Sequence, residues 1–409
     1  MKPMGPIPPE FAGQRGALTI GERSAHEWMA EAGSPCFVYD PAIVAARVAR
    51  FRAAMPGIDL HYAVKANPHA TLLAAIAPLV DGIDVASAGE LAIARAEMPA
   101  ARISFAGPGK RDAELQAAIA AGATLNAEST GEVRRALAIG ERLGRQPRLA
   151  VRVNPDLELK GSGMKMGGRP SPFGIDAERA ADAVRLIREG GADWRGFHIF
   201  AGSQALDPQA IIETQTATVA LAARLAEEAS AAPPLVNLGG GFGVPYFAGD
   251  VAVDVERIGA ALAETLAARP AILADSGFAI ELGRWLVAEA GVYLTRIVDR
   301  KESRGETFLV VDGGLHHQLA ASGNFGTVVR RNYPIAVAHR MGEEAALEEV
   351  SVVGCLCTPL DRLADRVALP HAEPGDVIAI FLAGAYGLTA SPTAFLGHPK
   401  AVERVVGLS

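Results

Sequence analysis

Cysteine is scarce: Cys36, Cys355 and Cys357 are the only three in 409 residues. Two of them stand one residue apart, where strand positions face opposite ways, so they make a poor disulfide framework. The Cys-x-Cys pair has no second Cys or His pair close by in sequence, so no metal site is read from it. A basic surplus is absent too. The formal net charge is −7 and the lysines and arginines are scattered, which argues against a nucleic-acid groove. No apolar stretch reaches membrane-spanning length without charge, and the start, MKPMGPIPPEF, lacks the apolar centre of a signal peptide. These absences predict a cytoplasmic protein in a reducing compartment, with neither membrane nor nucleic acid as partner.

What the chain has is apolar bulk, 50% of its residues, enough for a large core divided into two domains or built as one barrel with an attachment. Short apolar runs recur along the first two thirds: DLHYAVK (59–65), GIDVAS (82–87), RISFAG (102–107), ATLNAES (123–129), RLAVRVN (148–154), WRGFHIF (194–200), LVNLGGG (235–241) and FAIELG (278–283). Between them lie stretches such as DAELQAAIAAG and AERAADAVRLIREGG, with apolar residues at three- and four-residue spacing. Eight strand–helix units predict a (β/α)₈ TIM barrel over 45–285. An open doubly wound sheet has the same periodicity, but no Gly-x-Gly-x-x-Gly follows the first strand. After 286 the runs are β-branched and broken by Gly, Pro and charge, which predicts a mostly β domain over 286–409. The lone strand CFVYD (36–40) in the 1–44 segment is expected to pair with it.

Four segments carry candidate chemistry. Lys65 ends the first barrel strand, on the face where barrel enzymes place reactive groups. Burial there lowers an amine's pKa and favours Schiff-base chemistry, although a strand-end lysine also snorkels to solvent without function. NLGGGFGVPY (237–246) ends the seventh strand with a glycine run that admits an anion close to backbone N–H groups, or simply makes a turn. ELGR (281–284) closes the eighth strand: Glu281 can hold a pyridine nitrogen protonated and Arg284 can pair with a phosphate, or the two are an ordinary strand-end pair. In the β domain, GCLCTPLD (354–361) and GAYG (384–387) contribute Cys357 and Tyr386. Amine, phosphate cradle, ring-nitrogen acid and phosphate clamp are together the needs of pyridoxal 5′-phosphate.

With these pieces the chain resembles the fold-type III pyridoxal-phosphate decarboxylases, the group of diaminopimelate and ornithine decarboxylases. YAVKANP, DVASAGEL, GSQ, GGGFG, ELGR, DGG, CTPLD and GAYG carry the resemblance along nearly the whole length. It implies an alanine-racemase-like barrel with a β domain, working as a homodimer with shared active sites. It makes Lys65 the cofactor-bearing lysine and Glu281 the partner of the pyridine nitrogen. Ser203, Gly240, Gly241, Arg284 and Tyr386 would hold the phosphate, Asp84 would stand near the lysine, and Cys357 would act in the partner subunit's site at the protonation step.

Departures from the group's pattern bear on the substrate. HIFAGSQ puts Phe200 where a ring-stacking histidine is common and leaves His198 two residues earlier. Thr358 stands where diaminopimelate decarboxylases have Glu and ornithine decarboxylases Asp, and a hydroxyl cannot replace a charge-assisted hydrogen bond of about 1.5–3 kcal/mol. The clamp for a distal carboxylate is missing from SGNFGTVVRRNYPI (322–335), where Phe325 and Val329 take the clamp positions and Arg330 and Arg331 follow. These segments, with GSGMKMGG and GAYGLTASPTAFLGHP, resemble a sub-branch of decarboxylases of carrier-protein-bound glutamate and exosortase-associated relatives. That resemblance implies decarboxylation of an amino acid or of an aminoacyl group tethered to a carrier protein. Thr358, Arg331 and Phe395 become substrate-site candidates, and Lys165, Arg330 and Arg331 candidates for a carrier-facing patch. The alternatives are a decarboxylase of a free diamino acid (diaminopimelate, ornithine or lysine), an amino-acid racemase, and a catalytically inactive regulatory homologue.

Overall fold

Each apolar run forms a strand, and the amphipathic stretches form the helices between them, in a computed structural model that describes residues 1–156, 170–323, 331–344 and 346–407, with Met164 and Lys165 in backbone only. Phe325, Val329 and Arg330 lie outside the described residues. Proximity along the backbone divides the chain into two units. One comprises Arg47–Gly243 and Ala252–Gly283; the other comprises Met1–Ala46, Val244–Val251 and Arg284–Ser409. The excursion at 244–251 interrupts the expected barrel span. It belongs to the other unit because Tyr246 and Phe247 pack their rings on Tyr333, with centroids 4.8 and 5.6 Å apart.

After a short pair of strands, Thr19–Ile20 and Arg23–Ser24, β1 (Cys36–Tyr39) belongs to the mostly β unit. The barrel follows as β2 (Asp59–Ala63), β3 (Gly82–Val85), β4 (Ile103–Phe105), β5 (Thr124–Ala127), β6 (Arg148–Asn154), β7 (Asp193–Ile199), β8 (Leu235–Gly240) and β9 (Gly277–Leu282). All neighbours are parallel, and β9 pairs back onto β2, so the sheet closes on itself. The helices outside are set by local chemistry. Ser129 accepts a hydrogen bond from Glu132 N at 3.0 Å to start Thr130–Leu143, and Gly144 ends that helix at φ 60°. Val133, Ala136 and Ile139 are its buried stripe, and each large aliphatic side chain withdrawn from water contributes roughly 1.5–3 kcal/mol.

The barrel interior departs from the usual aliphatic layers. His61, Asp84, Asn126, Arg152, His198, Asn237 and Glu281 are buried polar residues, one on each of seven strands, and half-buried Ser104 supplies the eighth. A cavity of about 320 Å³ is lined in part by His61, Ser104, Asn126, His198 and Asn237. A buried polar group without a partner is costly, so this interior stands on hydrogen bonds.

In the mostly β unit the long strand β10 (Gly291–Ser303) is the organiser. Its first half pairs antiparallel with β1, and its second half pairs with β11 (Glu306–Val311). The sheet continues through β12 (Ile335–Val337), β13 (Leu347–Val353), β14 (Arg362–Pro370) and β15 (Val377–Ile380), and β16 (Val402–Val405) lies parallel to β1. The lone N-terminal strand thus does join the β domain. Among the described residues no helix is long and apolar enough to cross a membrane.

Candidate active site

Lys65 sits in a single 3₁₀ turn, Val64–Ala66, directly after β2. The Asn67-Pro68 signal turns the chain there: Asn67 Oδ1 accepts from His69 N at 3.0 Å, and Tyr62 OH donates to the Asn67 carbonyl at 2.8 Å. The end of β9 can approach this turn because residue 283 is glycine, where a Cβ would meet Ala66 Cβ at 2.8 Å. The first and eighth barrel strands thereby bring their terminal groups together. Lys65 Nζ lies 3.8 Å from Glu281 Oε1, with the lysine side chain 49% exposed and the glutamate 7%. The same amine lies 5.7 Å from the ring centre of half-buried Phe200.

Behind Glu281 stands His198, its Nε2 at 2.9 Å from Glu281 Oε2. Burial raises the Glu281 carboxyl, but the His198 hydrogen bond and the Lys65 charge outweigh it and hold the group well below the usual carboxylate range. Glu281 is therefore an anion inside the barrel. His61 is the next link. Its Nδ1 lies 3.4 Å from Asp84 Oδ2, and Asp84 also accepts from Ser104 Oγ. Burial pulls the His61 imidazole down, yet the nearby Asp84, Asp59 and Glu281 charges carry it above its ordinary value. Gly82 makes room for that ring, since a Cβ there would meet His61 Nε2 at 2.6 Å.

The glycine run packs tightly against its neighbours. A Cβ at Gly240 would stand 2.0 Å from the Glu281 carbonyl oxygen, and one at Gly241 (φ +74°) would stand 2.2 Å from that of Gly202. Close backbone approach between strand ends thus requires these glycines before any ligand is considered. Gly241 also comes to rest beside Ser203, 3.5 Å from Cβ position to Ser203 Cα. Gln204, next along, is held at φ 60°, a conformation that persists only where surroundings enforce it.

A second buried network supports this end of the barrel. Glu128 accepts from Gly107 N at 2.6 Å, Gly174 N at 2.7 Å and Arg152 Nη1 at 2.7 Å. Burial raises its carboxyl, but Arg152 together with Lys110 and the Gly107 amide hold it below the usual range.

The remaining expected residues belong to the mostly β unit. Arg284 donates from Nη1 to Tyr246 OH at 2.9 Å, and its guanidinium lies 4.6 Å from the ring centre of Tyr386. Arg284 Nε is buried without a hydrogen-bond partner among the described residues. Tyr386 sits at φ 53°. Cys357 is exposed, Thr358 half-buried, and Phe395 44% exposed. Arg331 is exposed and stacks on Phe247 at 3.8 Å from its ring centre. By contrast, burial pushes the Cys36 thiol up to about 12, so it stays protonated.

The structure thus joins Lys65, Glu281 and Phe200, gives His198 a place beside Glu281 that its sequence position alone did not, and adds His61 and Ser104, which the sequence did not single out. Their signal was present: in each apolar run one polar residue stands at an inward position, as in DLHYA and GFHI. Tyr246 beside Arg284 carried no such pattern.

Comparison with known proteins follows the same lines. Residues 42–288 match the family model described as pyridoxal-dependent decarboxylase, pyridoxal binding domain. The L-glutamyl-[BtrI acyl-carrier protein] decarboxylase of Niallia circulans is 39% identical over 380 residues, covering 90% of this chain and 88% of that protein. The diaminopimelate decarboxylase of Archaeoglobus fulgidus is 31% identical over 400 residues, covering 97% and 93%. Among solved structures, the diaminopimelate decarboxylase of M. jannaschii superposes with a TM-score of 0.88 at 26% identity, covering 99% of this chain and 93% of that one. The barrel fits the cofactor of that family: a half-exposed amine, a buried anion 3.8 Å from it and an aromatic face close by.

Proposed function

From its membership of the pyridoxal-dependent decarboxylases, to which this chain belongs, we propose that it removes the α-carboxylate of a carrier-protein-tethered aminoacyl group, glutamyl foremost. The enzyme is a pyridoxal-phosphate-dependent carboxy-lyase. The single observation that carries the site is the approach of Lys65 to buried Glu281, 3.8 Å apart, across the first and eighth strands.

When bound, the cofactor supplies a protonated pyridine ring that takes up the electron pair left as CO₂ departs. The chain's own residues do the rest. Lys65 would offer the amine that holds the cofactor. Glu281 would hold a proton on the ring nitrogen, with His198 fixing its orientation through Oε2. Phe200 offers a flat apolar face. Ser203, Gly240 and Gly241 in the barrel unit and Arg284 and Tyr386 in the mostly β unit are the candidates that would hold the phosphate, the arginine as a charge and the glycines through backbone N–H groups. Asp84 holds the buried His61 imidazole, with Nδ1 3.4 Å from Oδ2, and accepts from Ser104 Oγ. Cys357, from a second copy in a homodimer, would supply the proton that Cα takes up.

The substrate reading rests on Thr358, a neutral residue at the place where the family's diamino-acid enzymes carry a carboxylate, and on the likeness to the carrier-protein enzyme. A distal thioester brings no charge to be paired there. Arg331 and Phe395 remain candidates for contacts with the substrate or carrier. The test is CO₂ release from glutamyl carrier protein beside free glutamate, diaminopimelate, ornithine and lysine, with Lys65→Ala as control. The tethered substrate should be turned over and Lys65→Ala should release none. A higher kcat/KM for a free diamino acid would replace the substrate reading; turnover by Lys65→Ala would remove the lysine's role. Mixing inactive Lys65→Ala with slowed Cys357→Ala should raise the activity above that of either alone if the site is shared between copies. No recovery after subunit exchange would confine it to one.

A further inference from the structure

Three side chains of the mostly β unit converge: His316, Cys355 and His398 offer donor atoms that all lie within 4.8 Å of one another. Cys355 Sγ is 3.8 Å from His398 Nδ1, and the His316 and His398 ring centres are 5.3 Å apart. His316 is wholly buried, and neither of its ring nitrogens has a hydrogen-bond partner among the described residues. An imidazole carries polar atoms on both sides, and each left unmet in the interior costs about 1–3 kcal/mol. Its neighbour behaves differently. His317 meets Tyr293 OH at 3.1 Å and the Pro399 carbonyl at 2.9 Å.

The three segments are held in place by their own hydrogen bonds. Asp361 accepts from Leu315 N at 2.6 Å through Oδ1 and from Leu356 N at 2.9 Å through Oδ2, so one carboxylate fixes the residues beside His316 and Cys355. Gly314 and Gly354 let it in, since a Cβ at either would stand 2.4 or 2.2 Å from Asp361 Oδ2. Cys355 N donates to the Gly313 carbonyl at 3.0 Å. The bond from His317 to the Pro399 carbonyl sets the residue after His398. Supporting contacts of this kind orient ligands around a metal.

We propose that His316, Cys355 and His398 form a site for a zinc-class divalent cation, through one nitrogen of each imidazole and the Cys355 thiolate. Tetrahedral zinc with nitrogen at about 2.0–2.1 Å and sulfur at about 2.3 Å separates its ligands by roughly 3.3–3.6 Å. The 3.8 Å sulfur–nitrogen distance already approaches that spacing. Closing the remaining gap falls to the half-buried Cys355 and His398, while His316 is wholly buried. Two imidazoles and a sulfur select zinc over calcium or magnesium, which take oxygen ligands. As the cation binds, the Cys355 thiol releases its proton to solvent, and water takes the fourth position. The site does not depend on the cofactor reading.

The test uses the pyridoxal-phosphate-loaded enzyme, cleared of metal with a chelator and titrated with zinc chloride. One zinc should be retained per chain. Cys355→Ser and His398→Ala should each weaken binding on the order of a hundredfold, with unchanged circular dichroism. Cys357→Ser should retain the ion. Cobalt(II) in place of zinc should give a thiolate charge-transfer band in the difference spectrum that is absent from Cys355→Ser. No retained zinc in the parent enzyme, or undiminished retention in either Cys355→Ser or His398→Ala, overturns the site.

Discussion

His198 Nε2 lies 2.9 Å from Glu281 Oε2, and both side chains are buried. The hydrogen bond assigns the Nε2–H tautomer to the histidine and leaves its Nδ1 without a partner among the described residues. The histidine that sequence comparison sets aside, two residues before the ring-stacking place, is thereby the group that orients the acid. It is a positioning residue for Glu281.

His198→Leu should therefore change pH dependence as well as rate. Without its strongest hydrogen bond the Glu281 carboxyl rises toward or beyond 4.5, its ordinary value. The acid limb of kcat/KM should move to higher pH. In the parent, a depressed carboxyl contributes stability that is present above pH 4.5 and lost as pH falls through the lower folded value. The variant should be less stable near neutrality, and the gap should narrow in acid. Rate profiles and urea titrations at several pH values check both; an unmoved acid limb would separate His198 from Glu281.

Gly240 pairs in register with Glu281, and a Cβ there would meet the Glu281 carbonyl at 2.0 Å. Gly240→Ala should cost about 1–3 kcal/mol of stability and weaken cofactor retention together. Thermal denaturation and the absorbance of bound cofactor measure the two effects. Loss of cofactor without loss of stability would point to a direct anion contact instead of strand packing.

The barrel was legible because its strands are apolar runs at even spacing and its helices carry stripes at three and four residues, as in Thr130–Leu143. Lys65 and Glu281 were legible because each ends such a run. The polar interior was not, since single residues such as His61 or Asn126 look like interruptions until closure turns them toward one axis. His316, Cys355 and His398 were hidden for a different reason: three distant segments supply one residue each, so no ligand spacing exists to read.

Glu128→Gln should destabilise the barrel by about 3 kcal/mol, because it leaves Arg152 buried without its counter-charge and strips charge from the acceptor of two glycine amides. Denaturant unfolding reads this directly. A loss below about 1 kcal/mol would mean that the pair behaves like a solvated surface contact.

Thr358→Glu should shift preference toward substrates with a distal ammonium group, raising kcat/KM for ornithine or lysine about tenfold or more relative to the tethered substrate. A substrate panel measures the ratio. An unchanged ratio would place the side chain outside the pocket.

Asp361 has a further consequence. The Leu315 and Leu356 amides rest on the two oxygens of one carboxylate, so any movement of the Asp361 side chain releases both loops together. Amide exchange with solvent at these two positions should proceed as a single cooperative opening, with a shared protection that Asp361→Asn abolishes at both.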